Sequence, residues 1–180
     1  MDISKSALIL IDLQKGVTAV DLKPHKAEQI IENANTLIKK FRKENGFIVF
    51  VRTAFIDNKD ILPADKKLRS LSDLKESFDQ IDSRLDFKQS DYLVSKRGFS
   101  AFFGTDLDLE LRRHNIKNLV FVGVSTHIGI DTAARDGYQL NYKIYFVEDA
   151  ISAPKKQQHE FVINEIFPLY GEVLKTSSLI

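Results

Sequence analysis

Residues 118–136 constrain the fold most, because they predict a buried strand, a tight turn and a helix in direct succession. Residues 119–122 form a short apolar run, which is typical of a strand buried in a parallel sheet. Gly123 ends that run, and from Ile128 onward the apolar and small residues recur at helical spacing. In doubly wound sheets, ligands bind outside the carboxyl ends of such strands. Gly129 falls in the first helical turn, where glycine costs about 1 kcal/mol relative to alanine, so we expect that the space beside it is needed.

The same alternation of strand and helix runs through the rest of the chain. It predicts one domain, residues 1–180, with a three-layer α/β/α, Rossmann-like fold around a mostly parallel six-stranded sheet. Helices are expected to begin at Pro24, Thr105 and Pro154, since proline and a capping threonine suit the first turn. The expected strands are 7–11, 47–51, 92–95, 119–122, 143–147 and 172–175.

Residues 57–90 interrupt this alternation with a charged, irregular segment. Its long apolar side chains fall three or four apart, which is compatible with partial helix. Loop-length statistics favour a surface excursion, and the alternatives are a lid or an oligomer contact. The apolar side chains concerned are Leu68, Leu71, Leu74, Phe78, Ile81 and Leu85.

Composition excludes several classes of function. The net charge of +1 gives no electrostatic footprint for nucleic acid or anionic membrane, so we expect neither partner. The chain has no cysteine, which excludes a thiolate nucleophile and a cysteine metal site. Its four histidines show no metal-ligand spacing, so no metal and no cofactor are expected. No apolar run reaches 18 residues, and we predict a cytoplasmic location.

Three polar features follow different predicted strands and should meet at one edge of the sheet: Asp12, Lys96 and the turn of residues 125–129. Either side chain could instead be structural, the aspartate as a turn residue and the lysine as a solvated cation. Ser125 and His127 suggest a nucleophile and its base. However, the motif has histidine where a nucleophile elbow has its second glycine, and we expect the two side chains to point apart. The sequence therefore disfavours a serine hydrolase.

Four motifs, in order along nearly the whole chain, resemble those of the isochorismatase-like, or cysteine hydrolase, superfamily. They are residues 7–14 (ALILIDLQ), 96–102 (KRGFSAF), 123–129 (GVSTHIG) and 147–150 (VEDA). The amidase branch of that superfamily uses an Asp, Lys and Cys triad. Asp12 and Lys96 match its first two members, and the cysteine position falls on Gly129. The chain therefore looks like the isochorismatase branch, which also carries glycine at this position.

The resemblance implies a hydrolase that acts on a small substrate, which could be anionic, without a covalent cysteine intermediate. Asp12 would act as the general acid or base, Lys96 would hold it by charge, and Gly129 would leave room for water or substrate. A neutral carboxylic acid is the form that a closed apolar site favours. The implied substrate contacts are Gln14, Phe55, Phe99, Val124, Ser125, Thr126 and His127.

The resemblance also implies a cis peptide bond between Val124 and Ser125, and a homodimer or higher homo-oligomer. At Phe55 and Ser125 the chain departs from isochorismatases, which have glutamine and tyrosine there, so isochorismate itself is not the expected substrate. Two alternatives stay open. One is an amidase-like hydrolase that uses activated water, and the other is a catalytically silent binding or scaffold protein of the same fold.

Overall fold

Six parallel strands form one sheet in the computed structural model, which describes residues 1–56, 60 and 77–180. The sheet order is β3-β2-β1-β4-β5-β6, and every pairing between described neighbours is parallel. This confirms the predicted six-stranded α/β sheet. The strands are β1 Ser6–Ile11, β2 Phe47–Thr53, β3 Tyr92–Lys96, β4 Asn118–Val124, β5 Lys143–Ser152 and β6 Glu172–Leu174.

Apolar side chains cover both faces of the central strands, which explains why β1 and β4 read as continuous apolar runs. All six residues of β1 are buried. Ile9 and Ile11 pack in the cluster on one face, and Leu8 and Leu10 pack in the cluster on the other. Because successive side chains of a strand point to opposite faces, a strand covered on both sides must be apolar throughout.

Helices form the outer layers. Among the described residues they are α1 Lys15–Thr18, α2 Ala27–Lys43, α3 Leu107–Arg113, α4 Asp131–Gln139 and α5 Lys156–Phe161. A π-helical turn, Thr126–Ile130, leads directly into α4. None of the described helices has the length and apolar character needed to span a bilayer.

Three helix starts differ from their prediction. The α2 helix begins at Ala27 rather than Pro24, because Lys23 is held extended by an antiparallel bridge to Ala153. The α3 helix begins at Leu107, and the Thr105 hydroxyl accepts the Leu107 N–H at 3.3 Å without forming the predicted capping box. The α5 helix begins two residues after Pro154.

The strand order reverses between β1 and β4, and their carboxyl ends therefore flank the crevice where parallel sheets bind ligands. Gly123 is essential to this close pairing. Its φ is +119°, and a Cβ built there would lie 2.1 Å from the Ile11 carbonyl oxygen. Only glycine fits where β4 passes β1, so the two chain segments that follow these strands start side by side.

The predicted excursion over residues 57–90 lies in part outside the described residues, including Leu68, Leu71 and Leu74. The described part, residues 77–90, is built from turns and is not helical. It is also not wholly at the surface, because Asp82 and Leu85 are 6% and 7% exposed.

Candidate active site

Asp12, Thr53 and Lys96 form one buried hydrogen-bond network at the carboxyl ends of β1, β2 and β3. Lys96 Nζ donates to Asp12 Oδ2 at 2.9 Å and to Thr53 Oγ1 at 3.0 Å. The Thr53 hydroxyl in turn donates to Asp12 Oδ1 at 3.1 Å. The third N–H of Lys96 reaches the Gly98 carbonyl at 3.2 Å. With Lys96 only 2% exposed, the ammonium is fully coordinated by the protein.

The backbone at Asp12 explains why this carboxylate stands at the end of β1. Its φ is +51°, a left-handed conformation that aspartate tolerates better than most residues. The Asp12 N–H donates to the Val51 carbonyl of β2 at 2.8 Å, which continues the strand pairing by one residue. The chain therefore turns sharply after β1 while Asp12 stays fixed to β2.

Gly129 brings backbone without a side chain close to the carboxylate. A Cβ built on Gly129 would lie 3.3 Å from Asp12 Oδ2 and 3.1 Å from Ile11 Cγ2. Gly129 belongs to the π-helical turn, in which the N–H groups of Ile128 and Ile130 both donate to the Ser125 carbonyl at 3.2 Å. The peptide bond between Val124 and Ser125 is cis, as the resemblance implied. Any side chain at position 129 would occupy the volume next to Asp12.

A cavity of about 760 Å³ opens above this network. This volume is typical of sites for small molecules. Its walls combine the polar floor of Asp12, Thr53 and Lys96 with apolar side chains, among them Val17, Val20, Phe78, Phe99 and Ile128. The cavity therefore suits a small, partly apolar molecule brought against a carboxylate and a buried ammonium.

Seven of the ten site residues expected from the sequence line this cavity. They are Asp12, Lys96, Gly129, Phe99, Val124, Ser125 and His127.

Gln14, Phe55 and Thr126 are not on the cavity wall, contrary to expectation. Gln14 is fully buried, and its amide bonds both backbone groups of Thr53 as well as the Phe78 carbonyl. Thr126 is also fully buried, and its hydroxyl bonds His159 Nδ1 at 2.9 Å. These two side chains hold neighbouring segments in place.

Ser125 and His127 contact each other, although their side chains were expected to point apart. Ser125 Oγ lies 3.1 Å from His127 Nδ1. The expectation was wrong because side chains two apart lie on the same face of extended backbone, and the backbone is extended at Ser125, where the π-helical turn begins. Burial lowers the pKa of His127 below its usual value, against the opposing charge of Asp131, so the imidazole is neutral at pH 7. Over the described residues no carboxylate bonds its other ring nitrogen, and no Ser-His-Asp triad is formed.

Sequence reasoning missed Thr53, Lys155 and Gln158 as cavity residues. Thr53 had a readable signal, since it stands at the carboxyl end of β2, as Asp12 stands at the carboxyl end of β1. Lys155 and Gln158 lie beyond β5, where nothing in the local pattern separates them from their solvated neighbours. Within residues 1–56, 60 and 77–180, no group of three or more histidine, aspartate or glutamate side chains is arranged to hold a metal ion.

The model of the isochorismatase domain family matches residues 6–178. The chain is a member of the isochorismatase family. It is 38% identical over 183 residues to YwoC, an uncharacterized isochorismatase family protein of Bacillus subtilis (strain 168), covering 100% of this chain and 95% of that protein. It is 28% identical to the ureidoacrylate amidohydrolase RutB of Acinetobacter baylyi, covering 99% of this chain and 72% of that protein.

A solved isochorismatase family structure from Burkholderia thailandensis superposes with a TM-score of 0.91 at 30% identity, covering 97% of this chain and 93% of that one. These similarities confirm the superfamily inferred from the four motifs, and with it the α/β fold. The protein is an isochorismatase-family hydrolase whose relatives include amidohydrolases.

Proposed function

We propose that the protein hydrolyses a small substrate with Asp12 as general acid and base and a water molecule as nucleophile, without a covalent enzyme intermediate. One observation carries the proposal. The Asp12 carboxylate, held by Lys96 and Thr53, lies on the cavity wall beside Gly129, which has no side chain at the position where the amidase branch of the superfamily has its cysteine. Since the chain contains no cysteine, a water molecule in the cavity is the available nucleophile.

The network suits a carboxylate that accepts a proton from one reacting group and then donates it to another. Asp12 accepts the proton of the attacking water, whose oxygen bonds to the electrophilic carbon of the substrate. Asp12 then gives the proton to the leaving group as the bond to it breaks, so one water is consumed and Asp12 is regenerated. Lys96 stabilises the carboxylate before and after each transfer, because its three N–H groups stay bonded to fixed acceptors. General acid–base catalysis of this kind contributes about 10²–10⁴ in rate.

Two bond types fit this network. An amide uses the order given above. A vinyl ether, suggested by the isochorismatase-branch motif with glycine at position 129, uses the reverse order: neutral Asp12 protonates the enol carbon, water adds to the resulting oxocarbenium carbon, and the Asp12 carboxylate takes up the proton lost from that water as the ether bond breaks. An amide attacked by activated water is favoured by the amidohydrolase named among the relatives. A catalytically silent protein of the same fold would have no need of the Asp12–Lys96 contact. The position of this costly buried ion pair on the wall of the cavity argues against that alternative.

The remaining parts of the proposal concern the setting of the reaction. We propose a single catalytic domain over residues 1–180, a homodimer or higher homo-oligomer, and a cytoplasmic enzyme without metal or cofactor. Exposed aromatic side chains support self-association, with Phe103 82% and Tyr138 55% exposed. Light scattering across micromolar concentrations tests the oligomer, and a monomer throughout would contradict it.

A metabolite library screened for hydrolysis, with the wild-type protein and Asp12→Asn side by side, tests the function. We expect at least one small substrate to be turned over by the wild type and lost in Asp12→Asn. Turnover should also persist after treatment with thiol-alkylating reagents and with metal chelators. A substrate turned over equally by both proteins would remove the role assigned to Asp12.

A further inference from the structure

One side of the cavity is formed by the segment after β5, which contributes Pro154, Lys155 and Gln158 to the wall. Lys155 is the extended N-cap residue of α5 and Gln158 lies in its first turn, and both side chains line the same cavity. Neither residue belongs to the Asp12 network. From this position on the wall, both side chains can contact a bound substrate.

The backbone that carries these two residues is fixed at both ends. Before them, Lys23 and Ala153 exchange two backbone hydrogen bonds of 2.7 and 3.0 Å. The ring of Pro154 then restricts the φ angle of that residue. After them, the buried His159 is held by Thr126 at 2.9 Å. Lys155 and Gln158 are therefore presented to the cavity from a constrained segment.

Lys155 is a cation without an acidic partner among the described residues. Of the other lysines on the cavity wall, Lys96 is paired with Asp12, and Lys15 donates to the neutral Gln80 at 2.8 Å. Asp12 is the sole carboxylate among the described wall residues, and Lys96 neutralises it. The wall therefore has an excess of positive charge, which attracts an anionic group.

Gln158 contributes the complementary polar group. Its carbonyl oxygen Oε1 is buried and has no hydrogen-bond partner among the described residues. A buried acceptor without a donor is unfavourable, and a ligand N–H or O–H placed against it would remove that cost. The Lys155 ammonium can therefore bind an anionic group of a ligand, and Gln158 Oε1 can bind a hydrogen-bond donor on the same wall of the cavity.

We propose that Lys155 and Gln158 are specificity-determining residues that select small carboxylic acids bearing an N–H or O–H donor. The carboxylate binds the Lys155 ammonium, the donor binds Gln158 Oε1, and the scissile bond lies toward Asp12. The inference rests on the proposed function for its reaction, and it names the substrate class of the same cavity.

Three probes with one skeleton separate the two contacts. N-acetylglycine carries the carboxylate and an N–H, its methyl ester lacks the charge, and 4-oxopentanoate replaces the N–H with CH₂. Dissociation constants are measured by ligand-observed NMR titration of the wild-type protein. We expect N-acetylglycine to bind about tenfold or more tightly than either of the other probes, as expected for one lost hydrogen bond or charge contact.

Matched variants assign each preference to its residue. Lys155→Gln should abolish the preference over the ester and keep the preference over 4-oxopentanoate, whereas Gln158→Leu should do the reverse. Lys156→Gln and Gln157→Leu are the controls, since both residues are exposed and lie off the described cavity wall. Both controls should keep the two wild-type preferences.

Absence of binding by all three probes, or equal binding of all three to the wild type, would overturn the proposed substrate class. Lys155→Gln with unchanged preferences, or a control variant with the same effect, would overturn the assignment to these residues. If the binding preferences are intact but no substrate shows Asp12-dependent turnover, the proposed reaction is contradicted and the role of Lys155 and Gln158 is not. If Asp12-dependent turnover is found for a substrate without a carboxylate, the role of Lys155 and Gln158 is contradicted and the proposed reaction is not.

Discussion

Asp12 and Asp82 are two buried aspartates with the same kinds of partner and different surroundings. Each bonds a threonine hydroxyl and a basic side chain, Thr53 and Lys96 for Asp12, and Thr18 and Arg84 for Asp82. Their exposures are 8% and 6%. Of the two, only Asp12 lies on the described cavity wall. Burial and a cationic partner therefore do not by themselves mark a catalytic carboxylate.

The two carboxylates differ in how completely the protein fills their acceptor sites. Asp82 Oδ1 accepts two N–H groups of Arg84, and Oδ2 accepts a third together with the Thr18 hydroxyl. Each oxygen of Asp12 accepts one bond. A carboxylate oxygen has about two lone-pair sites, so Asp12 keeps acceptor capacity and Asp82 does not. This spare capacity is what a proton-transfer group requires.

The charge state of Asp82 follows from the same contacts. Hydrogen bonds from Arg84 hold the pKa of Asp82 well below its usual range, against the opposing effect of burial and with further help from Thr18. Asp82 therefore stays ionised at neutral pH and serves to fix the loop of residues 81–85 against α1. The predictions below test this division between a reactive and a structural aspartate.

The largest expected difference is in catalysis. Asp12→Asn should lower kcat by about 10²-fold or more, since it keeps the shape and removes the transferable proton. Asp82→Asn should leave the kcat of the remaining folded protein within about threefold of wild type, because Asp82 lies off the described cavity wall and does not contact Asp12 or Lys96. Both are measured on the substrate found in the screen, at a temperature where both variants are folded. A large loss of kcat in Asp82→Asn would break the comparison.

Lys96→Met should abolish most of the activity and also destabilise the protein. Lys96 is almost fully buried, and its removal leaves the Asp12 charge without compensation, at a cost of about 3–5 kcal/mol in the free energy of unfolding. Chemical denaturation measures this loss. The double variant Asp12→Asn/Lys96→Met should regain much of the stability and none of the activity. A single variant as stable as wild type would show that Asp12 does not depend on this cation.

Gly129→Cys should lower the native activity by about tenfold or more, because a misplaced group beside the reacting atoms disturbs catalysis strongly. The Cβ would stand 3.3 Å from Asp12 Oδ2, and Ile11 would have to give way. The new thiol should react with iodoacetamide, whereas wild type has no cysteine to label. Gln157→Cys provides the control thiol, since Gln157 is exposed and is not among the described residues of the cavity wall. Unchanged turnover in Gly129→Cys would mean that the space beside Asp12 is not used.

The smallest expected effect is on stability through Asp82. Asp82→Asn should reduce the free energy of unfolding at pH 7 by about 1–3 kcal/mol, since buried hydrogen bonds to a charged group are lost. Because the folded pKa of Asp82 is lowered, its contribution is present above the usual value of 3.8 and is lost as the pH falls below it. The decline in wild-type stability below about pH 4 should therefore be shallower in the variant. An equally steep decline would remove this role for Asp82.

The sequence predicted the features that strand position dictates. Asp12, Lys96 and Gly129 each follow a strand in the sequence, and the parallel sheet brings strand ends together whatever the loops do. Gln14 and Thr126 were expected to contact the substrate. The sequence gives no sign of whether a polar side chain beside a site faces the cavity or forms hydrogen bonds that hold the backbone. Long-range contacts decide between these two cases, as the bond from Thr126 to His159 shows.

Local geometry and distant segments account for the other differences. The contact between Ser125 and His127 was misjudged, because side chains two apart can share a face and this pair lies at the start of a π-helical turn. Lys155 and Gln158 reach the cavity only because the segment after β5 folds back along residue 23. No pattern within that segment records where it will pack, so its part in the cavity becomes visible only in three dimensions.

The backbone bridge between Lys23 and Ala153 has a consequence for how this enzyme can diversify. It fixes the path of the chain into Lys155 through main-chain atoms, which are the same for almost any amino acid. Side chains at positions 155 and 158 can therefore be exchanged without moving the segment or the strands that carry Asp12 and Lys96. A lineage could acquire a new substrate by two point mutations and keep its proton-transfer apparatus unaltered. The same two positions are the natural place to begin directed evolution of this scaffold.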